Sequence, residues 1–217
     1  MDKKDLRLAF VIGAGVGILV QPIATNVVHG SPLLTRLLGS AVPSPNLRVM
    51  LFVLFFFLAP AALWIAYLLG KLIPVLYQFA KFSAVGVLNT VINVGVLNLL
   101  SLLTGITAGN LIPVFAVTAF LASTTNSYYW NKFWTFKSDT GSHAREAAKF
   151  YLIATIGALL NVGTISFVVN FLRPTSVSAE LWLNAGALCG VAVSFLWDFF
   201  GYKFIVFKKV EIITPRA

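Results

Sequence analysis

Residues 82–131 read FSAVGVLNTVINVGVLNLLSLLTGITAGNLIPVFAVTAFLASTTNSYYWN, fifty positions without a charged side chain. A hydrocarbon core about 30 Å thick takes about 20 helical residues, so this run is long enough to cross twice. Near its middle lies Thr104-Gly105-Ile106-Thr107-Ala108-Gly109-Asn110, a cluster of turn-forming residues. The stretch predicts a helical hairpin solvated by lipid. The rest of the chain agrees: 59% of its 217 residues are hydrophobic and 11% are charged, against about 25% charged in an ordinary soluble domain. So few charges cannot cover a surface facing water. One cysteine, Cys189, and two histidines, His29 and His143, leave no disulfide framework and too few ligands for most zinc or thiol sites. The expected fold class is an all-α integral membrane protein without cofactor or metal.

Four more uncharged runs extend the pattern. Leu8–Val28 ends near Pro22, Val49–Gly70 lies between Arg48 and Lys71 with Pro60 as a kink, Phe150–Leu172 follows, and Leu181–Tyr202 is interrupted by Asp198. Six spans result, with Lys71 to Phe79 as the connector after the second. The first is read as a retained helix, because it is long for a signal peptide's apolar core and no small-x-small cleavage site follows it. Sixteen Lys and Arg against seven Asp and Glu give a net charge of +9, which raises nucleic acid or an anionic membrane face as partner. With the N-terminus inside, thirteen of the basic residues are cytoplasmic and only Arg36, Arg48 and Arg173 are not. Topology then accounts for the charge, both termini are cytoplasmic, and nucleic acid drops out.

The chain also repeats itself. Lys81-Phe82 recurs as Lys149-Phe150 and Asn93-Val94-Gly95 as Asn161-Val162-Gly163, 68 positions on. Asn131-Lys132-Phe133-Trp134-Thr135-Phe136-Lys137 closes the fourth span, and Tyr202-Lys203-Phe204-Ile205-Val206-Phe207-Lys208 closes the sixth at an offset of 71. The three extra residues are expected in the outer loop of the second copy. Each unit has two helices, so the copies insert in parallel. The expected organisation is a two-helix extension (1–77), a four-helix domain (78–209, with repeats 78–137 and 145–208) and a tail (210–217).

A two-helix unit that opens with Lys-Phe, closes with Asn-Lys-x-Trp-Thr-Phe and is then repeated resembles the GtrA-like family of small membrane proteins. The resemblance covers Gln78 to Lys209, about 60% of the chain, with Asn131–Phe136 its most specific part. It implies four helices, so the first seventy residues are an addition. It also implies a role in moving polyprenyl-phosphate-linked sugars across the cytoplasmic membrane of a prokaryote for cell-surface polysaccharide synthesis, or in assisting the glycosyltransferases that use them.

Lys132 and Lys203 occupy equivalent places in the two copies. A lysine ammonium is a point charge with three donors, set here at the depth of a lipid phosphate. Two of them brought together would hold one phosphate or diphosphate; apart, each is a snorkelling anchor. Asn131 and Asp198 complete this candidate headgroup site. A carboxylate inside a span needs a partner or water, and Lys132 is the expected partner of Asp198, whose role is proton coupling, the orienting of a lysine, or a structural ion pair. Asn89 and Asn93 share a helix face with Phe82 and Gly86, and Ala154, Gly157 and Asn161 form the equivalent face. Either the two copies pack through these faces, or Asn93 and Asn161 line a polar passage for a sugar together with Asn126 and Thr125 of the polar run Ala122–Ser127. Trp130, Trp134 and Tyr202 are the expected interface aromatics. Gly13, Gly15 and Gly17 lack the preceding strand of a nucleotide loop and are expected to serve helix packing. The loop from Asp139 to Glu146 is expected to be solvated. No nucleophile–base pair is evident, so the chain is not expected to be an enzyme. With parallel repeats, transport requires the angle between the halves to change, or a homodimer seam to open.

Overall fold

The computed structural model describes residues 1–30, 44–106, 108–138, 143–172, 174 and 179–207. Among the described residues all regular structure is helical: α1 (Lys3–Gly30), α2 (Pro45–Gly70), α3 (Pro74–Thr104), α4 (Ile112–Trp130), α5 (His143–Phe171) and α6 (Ala179–Gly201). They form two compact units, Met1–Thr135 and the residues from Phe136 on. Arg36, Arg173, Lys208, Lys209 and the tail 210–217 lie outside the described residues, as does the loop expected to carry the second copy's extra length.

The helix ends follow local chemistry. The Ser44 hydroxyl accepts the Leu47 N–H, and Pro45 opens α2 where an N–H has no intrahelical partner anyway. Pro74 opens α3 in the same way. The expected connector Lys71–Phe79 is therefore mostly helix, and only Lys71–Ile73 link α2 to α3. Gly105 ends α3 in the left-handed region at φ 71°, and Gly109 follows at φ 97°. The break expected at 104–110 is present, since these conformations suit residues without a Cβ.

One expectation about proline is corrected: helix α1 runs through Pro22 to Gly30. Helix α2 continues through the buried Pro60. Neighbouring groups in a bundle can satisfy the backbone that proline frees. The Gln21 amide, beside Pro22, ties α1 to α2: it donates to the Gly17 carbonyl at 2.7 Å and to the Arg48 carbonyl at 3.1 Å, while the carbonyl freed by Pro22 is that of Ile18.

In the first unit α1 and α2 are antiparallel and in close contact. A Cβ at Gly13 would meet the Phe55 carbonyl oxygen at 2.5 Å, and one at Gly17 would meet the Phe52 Cα at 3.1 Å. Gly15, on another face of α1, looks onto Leu88 of α3. The glycine run thus lets α1 pack on two helices at once. Ala9, Ile12 and Val16 of α1 join Leu63, Val85, Leu88, Val91 and Trp134 in one buried cluster, so the first helices are built into the unit that contains α3 and α4.

In the second unit α5 and α6 run antiparallel over a row of glycine contacts. A Cβ at Gly186 would strike Val169, one at Gly190 the Asn161 backbone oxygen at 2.9 Å, and one at Gly201 Ile153 at 2.6 Å. Gly157, on the opposite helix, receives the Asp198 carboxylate.

Four helical segments are long and apolar enough to cross a membrane: Pro45–Gly70, Pro74–Ser101, Ala144–Phe171 and Ala185–Val206. Among the described residues α1 and α4 do not reach that standard. For α4 the reason lies in its sequence, which carries the polar run Ser123–Ser127.

Candidate functional site

Each of the two closing motifs ends its helix in a π-helical turn, Asn131–Thr135 after α4 and Tyr202–Val206 after α6. Such turns are rare and frequently found at functional sites. In the first, Asn131 is fully buried: its amide donates to the Ser127 carbonyl at 2.9 Å and to the Ser127 hydroxyl at 3.1 Å. The Asn131 Oδ1 and Thr135 Oγ1 atoms are buried with no hydrogen-bond partner. Between them in sequence, Lys132 is only 1% exposed. Its Nζ donates to the Tyr128 hydroxyl at 3.2 Å and lies 5.5 Å from the centre of that ring. This lysine does not lie along the surface as a snorkelling anchor would.

The second turn is built differently. Lys203 is half-buried, with its ammonium 5.7 Å from the Phe199 ring and 5.6 Å from the Phe204 ring. Tyr202 stacks on Phe150 at 4.0 Å, and Phe136 and Phe207 complete the aromatic cluster. Lys132 belongs to the first compact unit and Lys203 to the second. Asp198 Oδ1 is buried and has no hydrogen-bond partner; the carboxylate sits in the notch that Gly157 leaves in α5.

The amides serve their own hairpins. Asn126 donates to Asn89 Oδ1 at 2.7 Å and Asn93 to the Ser123 hydroxyl at 3.4 Å, both between α3 and α4. Asn161 packs against Gly190 of α6. Asn89, Asn93, Gly157 and Asn161 each contact the neighbouring helix of their own hairpin. The polar run hides its hydroxyls in the same economical way, Thr125 donating to the Leu121 carbonyl and Ser123 to that of Phe120. Of the expected interface aromatics, Trp134 and Tyr202 are buried, and Trp130 packs edge-on against Trp134 at 5.6 Å. Glu146, expected in a solvated loop, is buried and accepts the Ser138 hydroxyl at 2.9 Å.

One fully satisfied polar cluster was missed by sequence reasoning. Asp5 of α1 is buried, and three donors converge on it. Lys81 Nζ lies 2.6 Å and the Tyr77 hydroxyl 2.8 Å from its Oδ2, and Trp134 Nε1 lies 2.9 Å from its Oδ1. The Lys81 ammonium also lies over the Tyr77 ring at 4.6 Å and the Trp134 ring at 5.5 Å. Burial alone would raise the Asp5 pKa, but the three donors and the adjacent ammonium hold it below its ordinary 3.8. An acid set among the three basic residues Lys3, Lys4 and Arg7 was the available signal; a carboxylate at a membrane boundary needs a partner.

A family model described as GtrA/DPMS, transmembrane domain, matches residues 81–207, more than half of the chain. The chain belongs to this family. No curated protein and no solved structure matches it. Family and apolar helices together make it a multi-pass membrane protein. The GtrA/DPMS domain contains both π turns, both of their lysines, Asp198 and the asparagines described above, and it begins at Lys81. Asp5 and Tyr77 lie outside it, so part of the Asp5 cluster comes from the extension and part from the domain.

Proposed function

We propose that this protein translocates polyprenyl-phosphate-linked sugars across the cytoplasmic membrane of a prokaryote for cell-surface polysaccharide synthesis, without covalent catalysis and without a cofactor. Membership of the GtrA/DPMS family supports involvement with such lipids. The observation that carries the reading is Lys132, a buried ammonium in a π turn of the family domain, beside the unpartnered Asn131 Oδ1 and Thr135 Oγ1. Buried polar atoms left unpaired are costly, and the hydroxyls of a lipid-linked sugar would supply hydrogen bonds to the Asn131 and Thr135 oxygens.

In this account the second lysine, Lys203, occupies the same place in a duplicated hairpin. The matching π turns, 71 positions apart, support duplication. The two parallel copies cross the membrane with their closing motifs in the cytoplasm, and α1 and α4 cross as well. Each of these two packs antiparallel against a helix that qualifies as a span, and even the 19 residues of α4 reach about 28 Å at 1.5 Å per residue. Lys132 and Lys203, with Asn131 and Asp198, hold the headgroup, while Asn93, Asn126, Thr125 and Asn161 offer the sugar polar contacts and the prenyl tail stays in lipid. Opening by a change of angle between the halves, or at a homodimer seam, completes the cycle.

The competing possibility is a scaffold that recruits a glycosyltransferase and transports nothing. Purified wild type and a Lys132→Ala/Lys203→Ala variant distinguish the two. Transport predicts that lipid phosphate detected by native mass spectrometry in the wild type is lost in the variant. Equal lipid content in both, with a glycosyltransferase co-purifying stoichiometrically with each, would favour the scaffold.

A further inference from the structure

The exposed side of the second hairpin is not smooth. A groove of about 490 Å3 runs between Leu160 of α5 and Val193, Leu196, Trp197, Phe200 and Phe204 of α6 and its closing turn. That volume falls within the range of ligand pockets, about 300–1,000 Å3, and every side chain lining the groove is apolar. The Trp197 indole N–H donates to the Ile153 carbonyl at 3.1 Å, so the one polar atom of that ring is already satisfied. Phe200 and Phe204 are exposed, yet their rings lie within 4° of parallel with centres 6.1 Å apart. A second hollow of about 380 Å3 shares Leu160 and extends the path along α5 past Gly163 to Phe167. A Cβ at Gly163 would meet nothing within 4 Å.

One end of this path carries a charge. The Lys203 ammonium lies 5.6 Å from the centre of the Phe204 ring, and Lys203 makes no ion pair among the described residues. A cation beside an apolar track that leads into the span matches the layout of an anionic lipid, a charged head joined to a hydrocarbon chain. The track also distinguishes one chain from another. A saturated chain turns at every bond, so ordering it in a groove costs conformational entropy at each. A polyprenyl chain holds a rigid double bond in every unit and loses less, and its methyl branches bury more apolar area along the same length.

We propose that this groove holds the first isoprene units of a polyprenyl phosphate whose phosphate sits on Lys203. The inference rests on the translocation reading for the headgroup and deepens it, since the second hairpin then selects its lipid by the chain as well as by the charge. The tail stays on the lipid side of α5 and α6, in a fixed track.

The test uses the full chain in detergent and two probes of equal charge, geranylgeranyl phosphate and hexadecyl phosphate. Their main chains are equally long and differ in branching and unsaturation. Relative affinities are read by native mass spectrometry from an equimolar mixture. Wild type should favour geranylgeranyl phosphate by about tenfold. Val193→Trp, which puts an indole into the groove from an exposed position, should abolish that preference. Lys203→Ala should weaken both probes and keep the preference, because the walls are unchanged. If Val193→Trp does not fold, Phe200→Leu, which removes the parallel ring pair and keeps apolar bulk, should reduce the preference at least about threefold. Equal binding of the two probes by wild type, a preference that survives the folded groove variant, or undiminished binding after Lys203→Ala would overturn the proposal. So would a wild-type dimer that Val193→Trp converts to a monomer, which assigns the groove to a second copy. The two readings fail separately: a protein that flips lipid-linked sugar in liposomes without chain preference loses the groove alone, and one that keeps the preference without flipping loses translocation alone.

Discussion

At Asp5, one carboxylate satisfies an ammonium, a hydroxyl and an indole N–H at once, and this coupling makes each member hard to remove alone. Lys81→Met leaves a buried carboxylate without its counter-charge and should cost about 3–5 kcal/mol in unfolding experiments, with part of the loss recovered in the double variant with Asp5→Asn. The sign of the pH effect follows from the depressed pKa. Asp5 stabilises the fold fully above about pH 4, the region of its unfolded value, and that contribution is lost as pH falls through the lower folded value. Thermal unfolding in detergent between about pH 7 and pH 3 should show a steeper acid loss for wild type than for Asp5→Asn; parallel profiles would contradict this. The Asn89–Asn126 bond is a smaller matter, and Asn126→Ala should cost only about 0.6 kcal/mol beyond lost packing. Of these residues the amides were legible from their helical spacing. Asp5 was not, because a contact across 76 positions leaves no periodic trace and the basic residues around it suggested topology alone.

Among elements, the hairpins were the most legible, because charge-free length and a glycine-rich break are one-dimensional features. The break after Thr104 and the end of α2 at Gly70 follow the sequence closely. Proline misled at Pro22, where the rule for helix interiors in water gives way in a bundle that can satisfy the freed backbone. The π turns could not be anticipated, since they lack a residue signature and only the recurrence of the two motifs marked the places. The glycine contacts of α5 and α6 give a test at this scale. Gly190→Ala forces a Cβ against the Asn161 backbone oxygen and should destabilise the protein by about 1–3 kcal/mol. Gly163→Ala, on α5 with nothing within 4 Å of its Cβ position, should be neutral or stabilising. Equal losses at both sites would contradict close approach at Gly190 as the difference between them.

For the whole molecule, the extension and the domain are joined through Asp5 and through the core shared by α1, α2 and α3, a union that the boundary drawn at residue 77 did not anticipate. The orientation is open to direct measurement. In a Cys189→Ala background, a single cysteine placed at Lys3 or at Thr214 should react with a membrane-impermeant maleimide only after the cells are opened; labelling of intact cells at either site would reverse the topology. The central claim is that lipid-linked sugar crosses the membrane through this protein with Lys132 and Lys203 holding its phosphate. Liposomes containing a fluorescent polyprenyl-phosphate sugar, with and without the purified protein, test it most directly by quenching of the label from outside. The account predicts rapid quenching of the inner-leaflet pool with wild-type protein, and a rate at least about tenfold lower, a barrier change of about 1.4 kcal/mol, with Lys132→Ala/Lys203→Ala. An inner pool as protected as in protein-free liposomes would contradict it.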